Sequence, residues 1–183
     1  MKVNTSRFGV VEVADTDLME FSDGLLGFEH LKRFCIVDPA DETLILWLQS
    51  ADNAEVAFPI LEPKLFKTDY KVRLSANELR TLRIDATNKK DTLVYCILTI
   101  PAEVSAMTAN LKAPIVINTA SRQARQVVLQ ENEYSVKFAM YKELLAMMMS
   151  SGGLNAKAPR AEETTACALS LKHASSKVEV VAL

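Results

Sequence analysis

The chain has 183 residues and a mass of 20.2 kDa, enough for one domain with a sizeable core and a tail. Hydrophobic residues at 49% and charged residues at 24% exclude wholesale disorder, and 5 glycines with 6 prolines exclude a low-complexity or collagen-like chain. The formal net charge of −2 hides an asymmetry: residues 1–63 carry 4 Lys/Arg against 12 Asp/Glu, residues 64–150 carry 13 against 8, and residues 151–183 carry 4 against 3.

The opening residues lack the apolar stretch and small-residue cleavage site of a secretory signal. No apolar run approaches the ~20 residues of a membrane span, and the odd set Cys35, Cys96 and Cys167 has no CxxC, so a reducing cytoplasm is expected. Arg7 to Val13 is the first strand candidate. Phe21-Ser22-Asp23-Gly24-Leu25 then places a turn after an early strand. Arg33 to Val37 reads as a strand, and Asp38-Pro39-Ala40-Asp41 as the turn that ends it. Leu44 to Leu48, Leu93 to Leu98 and Ile115 to Ile117 are continuously apolar, as core strands are. Val56 to Leu61 adds another. Tyr70 to Leu74 alternates apolar and basic residues, and Tyr134 to Phe138 repeats that alternation, both patterns of half-buried strands. Gln126 to Leu129 is also a strand candidate, joined to Tyr134 by a tight connection at Glu131-Asn132-Glu133.

Helix is scarce. Ser75-Ala76-Asn77-Glu78 has the form of a capping box and predicts a short helix over 76–82. A second helix is expected over Tyr141 to Met149, with Leu144, Leu145 and Met148 on one side. Ser150-Ser151-Gly152-Gly153 marks a break. Residues 150–183 read as a tail with a helical stretch near 164–172 and a terminal strand at Val178-Glu179-Val180. The expectation is a mostly β chain: one compact antiparallel barrel-like domain over 1–149 with one or two short helices, and a C-terminal extension over 150–183.

Chemistry is sparse in the pattern. The two histidines, His30 and His173, have no clustered ligands around them, so neither metal nor cofactor is expected. The carboxylate pairs Asp41-Glu42, Asp52 with Glu55, and Glu131 with Glu133 flank turns, where solvated carboxylates are the default, and no nucleophile or phosphate motif occurs. An enzyme is therefore not expected, although a hydrolase with an unrecognised site stays open. Lys64, Lys67, Lys71, Arg73, Arg80, Arg83, Lys89 and Lys90, with Phe66 and Tyr70 interleaved, leave a small RNA-binding barrel as a further alternative. Tyr70 shares its phase with Val72 and Leu74, however, and should point inward, away from any base.

Phe8-Gly9-Val10-Val11-Glu12 and the segment from Phe21 through Gly24-Leu25-Leu26-Gly27-Phe28-Glu29 resemble the opening of the FliW family. Trp47-Leu48-Gln49-Ser50, Ala57-Phe58 and Asp69-Tyr70 follow in family order. So do Asn110-Leu111-Lys112-Ala113-Pro114-Ile115-Val116-Ile117-Asn118, Gln126 to Leu129 and Tyr134. Leu26 stands where the family usually has proline. The resemblance covers about residues 5–140, and it implies a compact barrel and two partners, flagellin and the RNA-binding translational regulator CsrA. Its members bind CsrA, relieve its repression of flagellin translation allosterically, and are sequestered by flagellin.

No membrane, no direct contact with nucleic acid and a monomer when free are expected. A chaperone for flagellin alone is the alternative within this class. An acidic first third suits a basic partner, which places the expected CsrA face at Asp15, Asp17, Glu20 and Asp23. Gln49, Asn118 and Tyr134, polar residues at strand ends, are further binding candidates. Gly24, Gly27, Phe28, Asn110 and Pro114 read as structural: positive-φ turns, an Asx turn and a strand start needing no ladder amide.

Overall fold

Strands buried on both faces explain the continuously apolar runs. The computed structural model describes residues 1–39, 43–85, 87, 90–150 and 179–182. In chain order they form β1 (Lys2–Thr5), β2 (Gly9–Glu12), β3 (Met19–Phe21), β4 (Arg33–Val37), β5 (Leu46–Ser50), β6 (Ala57–Leu61), β7 (Lys71–Leu74) and α1 (Ala76–Leu82). There follow β8 (Thr92–Thr99), β9 (Thr108–Ala109), β10 (Ile115–Asn118), β11 (Gln123–Gln126), β12 (Phe138–Ala139), α2 (Tyr141–Ser150) and β13 (Glu179–Ala182).

A barrel closes in the order β3-β4-β5-β6-β8-β10-β11 and back to β3. Every join is antiparallel except β11–β3. A ring with an odd number of strands cannot be antiparallel at every join, so one parallel seam is forced. Phe21, Phe34, Leu48, Ile60, Ile115 and Ile117 fill the bore, with Phe21 and Phe34 edge to face at 4.9 Å. A space of about 30 Å³ remains at one mouth, room for a water.

Two outer layers cover the wall. On β8 and β10 the inward residues Leu93, Tyr95, Ile97, Ile115 and Ile117 alternate with Val94, Cys96, Leu98 and Val116. These last four pack outward against β7, α1, α2 and β13 through Tyr70, Val72, Leu74, Leu82, Leu144 and Val180. The β1–β2 hairpin lies over β4 and β5, where Val3, Val11 and Val13 cover Cys35, Val37 and Trp47. Each fully buried aliphatic side chain contributes about 1.5–3 kcal/mol, so burial on both faces is what holds such short strands.

The capping box forms as the sequence predicts: Ser75 Oγ accepts from the Glu78 amide at 3.4 Å, and Glu78 Oε2 accepts from the Ser75 amide at 2.7 Å. Tyr70 is buried and its phenol donates to the Leu111 carbonyl at 2.6 Å; burial pushes its pKa up and keeps the proton in place.

Three expectations are corrected. Of Gln126 to Leu129 only Gln126 lies in a strand, as the last residue of β11. The amides of Val127 and Leu129 do donate to Pro114 and Lys112 carbonyls, at 2.9 Å each, but the facing segment is a proline-bearing turn and cannot sustain a ladder. Tyr134 to Phe138 yields only β12, and Val136 is 59% exposed instead of inward. In α2 the buried stripe is Leu144, Met147 and Met148, at i, i+3 and i+4, while Leu145 is turned out. Ala40, Asp41, Glu42, Lys89, Ser151 to Gly153, the stretch 164–172, Cys167, His173 and Val178 lie outside the described residues.

Candidate protein-binding face

The outward residues of the β11–β3 seam are polar: Glu20 is exposed, Gln123 and Arg125 are half-buried, and α1 packs beside β11. The seam's ladder is short, pairing Gln123 with Glu20 and Ala124 with Phe21, and parallel pairing is slightly weaker per residue. Side chains reinforce it along its whole length. Arg122 Nη1 donates to the Asp15 carbonyl at 2.8 Å, Gln123 Nε2 to Glu20 Oε2 at 3.2 Å, and Arg125 pairs with Asp23 at 3.0 Å. The expected acidic face is therefore a mixed one. Glu20 and Asp23 help to latch the seam, and Asp15 lies 3.5 Å from the N-terminal amine. Asp17 has no side-chain hydrogen bond or ion pair to the described residues. An open groove continues beside the seam, lined by Glu20, His30, Lys32, Arg33, Arg122 and Gln123.

Above the seam stands a feature that the residue pattern did not single out. Gly24 (φ 73°) and Gly27 (φ 83°) take the left-handed conformations expected of them, and Leu25 bridges Phe28 across the turn. Gln126 Oε1 accepts from the Leu26 amide at 3.0 Å, and Glu29 Oε1 accepts from the Gly27 amide at 2.9 Å, a bond that holds the Glu29 carboxyl below its ordinary range. Phe28 anchors the turn against Phe58, ring centroids 5.1 Å apart. Leu26 is thereby held rigidly with 58% of its surface in solvent. The only sequence signal was its departure from the family proline.

Gln49, Asn118 and Tyr134 are not surface residues. Gln49 is fully buried in β5, and its amide nitrogen reaches the carbonyls of Ser50, Asn53, Ala54 and Val56 at 2.9–3.4 Å, closing the loop to β6. Asn118 donates to the carbonyls of Leu82 and Arg83 and accepts from the amides of Ala120 and Ser121. Tyr134 packs on Tyr70 at 4.8 Å and accepts from the Lys71 amide at 3.2 Å. Buried polar groups need such partners, and a strand-end polar residue supplies them to loops as readily as to a ligand. Asn110 Oδ1 accepts from the Ala113 amide at 3.0 Å, forming the Asx turn, and Pro114 stands just before β10. This turn separates β9 from β10: between the pairs Leu98–Ala109 and Tyr95–Ile115, six steps on one strand answer three on β8.

Asp52 ties the β5–β6 loop to β4. Partial burial disfavours its charge, but the amides of Arg33 and Lys32 (2.8 Å each) and the Arg33 guanidinium (2.7 Å) outweigh that and hold its carboxyl below the ordinary range. Asp52→Asn is expected to cost about 1 kcal/mol at neutral pH once solvent screening is allowed for. A lowered native pKa stabilises above the unfolded value, so the wild-type advantage should shrink as pH falls below 3.8, which urea melts of both proteins at several pH values would show. In the basic stretch, Phe66 and Tyr70 are buried, leaving no aromatic platform there for bases, and Lys67, Lys71 and Arg73 pair with Asp69, Glu179 and Glu131.

Known proteins resemble this chain closely. The family model described as FliW protein matches residues 2–140. A flagellar assembly factor FliW of Bdellovibrio bacteriovorus is 41% identical over 144 residues, 79% of this chain and 81% of that one. One of Thermoanaerobacter pseudethanolicus is 37% identical over 145 residues, 79% of this chain and 95% of its own. A crystal structure of the flagellar assembly factor FliW superposes with a TM-score of 0.71 at 33% identity, covering 77% of this chain and 97% of that one. With the closed barrel, its two helices and the shared motifs in place, the chain belongs to the FliW family of flagellar assembly factors.

Proposed function

We propose that this chain is a cytoplasmic partner-switching regulator that works by binding polypeptides. It binds CsrA, antagonises its repression of flagellin translation from a site away from the RNA groove, and is itself sequestered by flagellin. The observation that carries this reading is the charged β11–β3 strip crowned by an exposed leucine on a hydrogen-bonded turn. An apolar anchor inside a polar rim is how protein interfaces concentrate binding energy, and a turn already fixed in place loses little entropy on association. Asp17, with no side-chain partner among the described residues, adds a negative charge able to steer a basic surface.

Leu26→Asp is expected to weaken CsrA binding by about tenfold or more without lowering the melting temperature. Asp17→Lys should slow association by about threefold at low salt and leave dissociation nearly unchanged. Glu20 and Asp23 are poorer probes, because reversing their charge also loosens the seam. Surface plasmon resonance on immobilised CsrA reads both variants; wild-type kinetics from both would remove the seam as the CsrA site.

A further inference from the structure

β7 stands apart from the barrel sheet, and among the described residues its one strand neighbour is β13, laid parallel to it. The register pairs Glu179 with Lys71, Val180 with Val72, Val181 with Arg73 and Ala182 with Leu74. Val72 and Leu74 face the outer core at 0% exposure, and Val180 enters the same cluster at 4%. Lys71 and Arg73 face outward, each side chain half exposed, and Lys71 Nζ lies 2.8 Å from Glu179 Oε2.

Two observations set this pair apart from the rest of the fold. β7 lies within the family match over residues 2–140, whereas β13 lies beyond it, on the far side of residues 151–178. The relative from Thermoanaerobacter uses 95% of its own length in the match, so little of that chain remains to cover the same edge. Moreover, β13 is only four residues long, and its ion pair to Lys71 is exposed, a kind of contact that contributes little. Val181 sits opposite the cationic Arg73, whose ion pair with Glu131 is long at 3.4 Å, so an acidic residue in place of Val181 would share that charge.

We propose that the β7 edge is a strand-accepting docking site, that residues 179–182 are its built-in occupant, and that the partner displacing them is an extended polypeptide segment alternating acidic and apolar residues, laid parallel to β7. Main-chain hydrogen bonds supply the attachment, the Val72–Leu74 row receives the apolar side chains, and Lys71 and Arg73 receive the acidic ones. The built-in strand lowers the apparent affinity for any competitor by the fraction of time it occupies the edge. This site is independent of what the seam holds.

The test uses the full chain and a fluorescent peptide of residues 176–183 carrying Val181→Glu, followed by anisotropy. Val180→Asp in the protein should expel β13, so that this variant binds the peptide about tenfold more tightly than the wild type does. Adding Lys71→Glu should abolish most of that gain, and a peptide that also carries Glu179→Lys should recover it. Peptide binding that is absent, or equal in wild type and Val180→Asp, overturns the proposal. So does a Val180→Asp protein that no longer folds, since β13 would then be an integral strand and not an exchangeable one.

Discussion

Gly24→Ala is expected to destabilise the domain by about 3–4 kcal/mol, with Gly27→Ala costing about 1–2 kcal/mol beside it. Both glycines have positive φ, so alanine is strained at either position. Their surroundings differ. A Cβ on Gly24 would lie 2.7 Å from the Glu29 Cα and 2.8 Å from the carbonyl oxygens of Glu29 and Phe28. These are backbone atoms, which cannot swing aside as a side chain could. A Cβ on Gly27 meets nothing within 4 Å, so only the conformational cost remains. In thermal melts, where 1 kcal/mol corresponds to about 2–4 °C for a domain of this size, Gly24→Ala should lose about 10 °C and Gly27→Ala about 4 °C. Equal shifts would show that the turn relaxes around the extra methyl group. Any relaxation at Gly24 must also move Leu26, so Gly24→Ala should weaken CsrA binding even at temperatures where the protein stays folded.

Asn118→Ala should cost about 3 kcal/mol, because one side chain serves three pieces of chain. The helix α1 ends at Arg83, a non-glycine residue in the left-handed conformation (φ 54°), and its last carbonyls need donors. Asn118 Nδ2 supplies them to Leu82 and Arg83 at 3.0 and 2.8 Å, and Oδ1 holds the turn into β11 through the Ala120 and Ser121 amides at 3.0 and 3.2 Å. Asn118→Asp separates the two halves of that job. It keeps the acceptor but places a carboxylate oxygen against two carbonyl oxygens, so it should be at least as unstable as the alanine variant at neutral pH. Protonation supplies a donor again. The folded-state pKa of that aspartate is therefore raised, its stabilisation is complete below the unfolded value near 3.9, and it is lost as pH rises through the folded value. Urea melts at pH 4 and pH 7 should show the aspartate variant gaining on alanine at the lower pH; a constant gap would mean that the helix terminus finds other donors.

What could be read from the residues was whatever depends on local chemistry. The capping box at Ser75–Glu78, the positive-φ glycines of the 24–27 turn, the Asx turn at Asn110 and the inward phase of Tyr70 each follow from a few neighbouring side chains. The continuous runs Leu93–Leu98 and Ile115–Ile117 marked core strands, yet could not say that one face fills a bore and the other receives a second layer. The parallel seam was illegible for a different reason: β3 and β11 meet only when the ring closes, and their partners are about a hundred residues apart in the chain. The acidic cluster was found by charge alone. Its entanglement with Arg122, Gln123 and Arg125 belongs to that same long-range contact. Gln49 and Asn118 show the limit most plainly, since a polar residue at a strand end has the same signature whether it meets a partner protein or the chain's own loops.

A competition titration bears most directly on the function. Labelled CsrA is saturated with the full-length chain, purified flagellin is added, and the bound fraction is followed by anisotropy. Flagellin should release CsrA stoichiometrically, and the released CsrA should regain repression of flagellin mRNA translation in a cell-free reaction. A ternary complex that retains CsrA at saturating flagellin, or a chain that binds neither protein at micromolar concentration, would contradict partner switching.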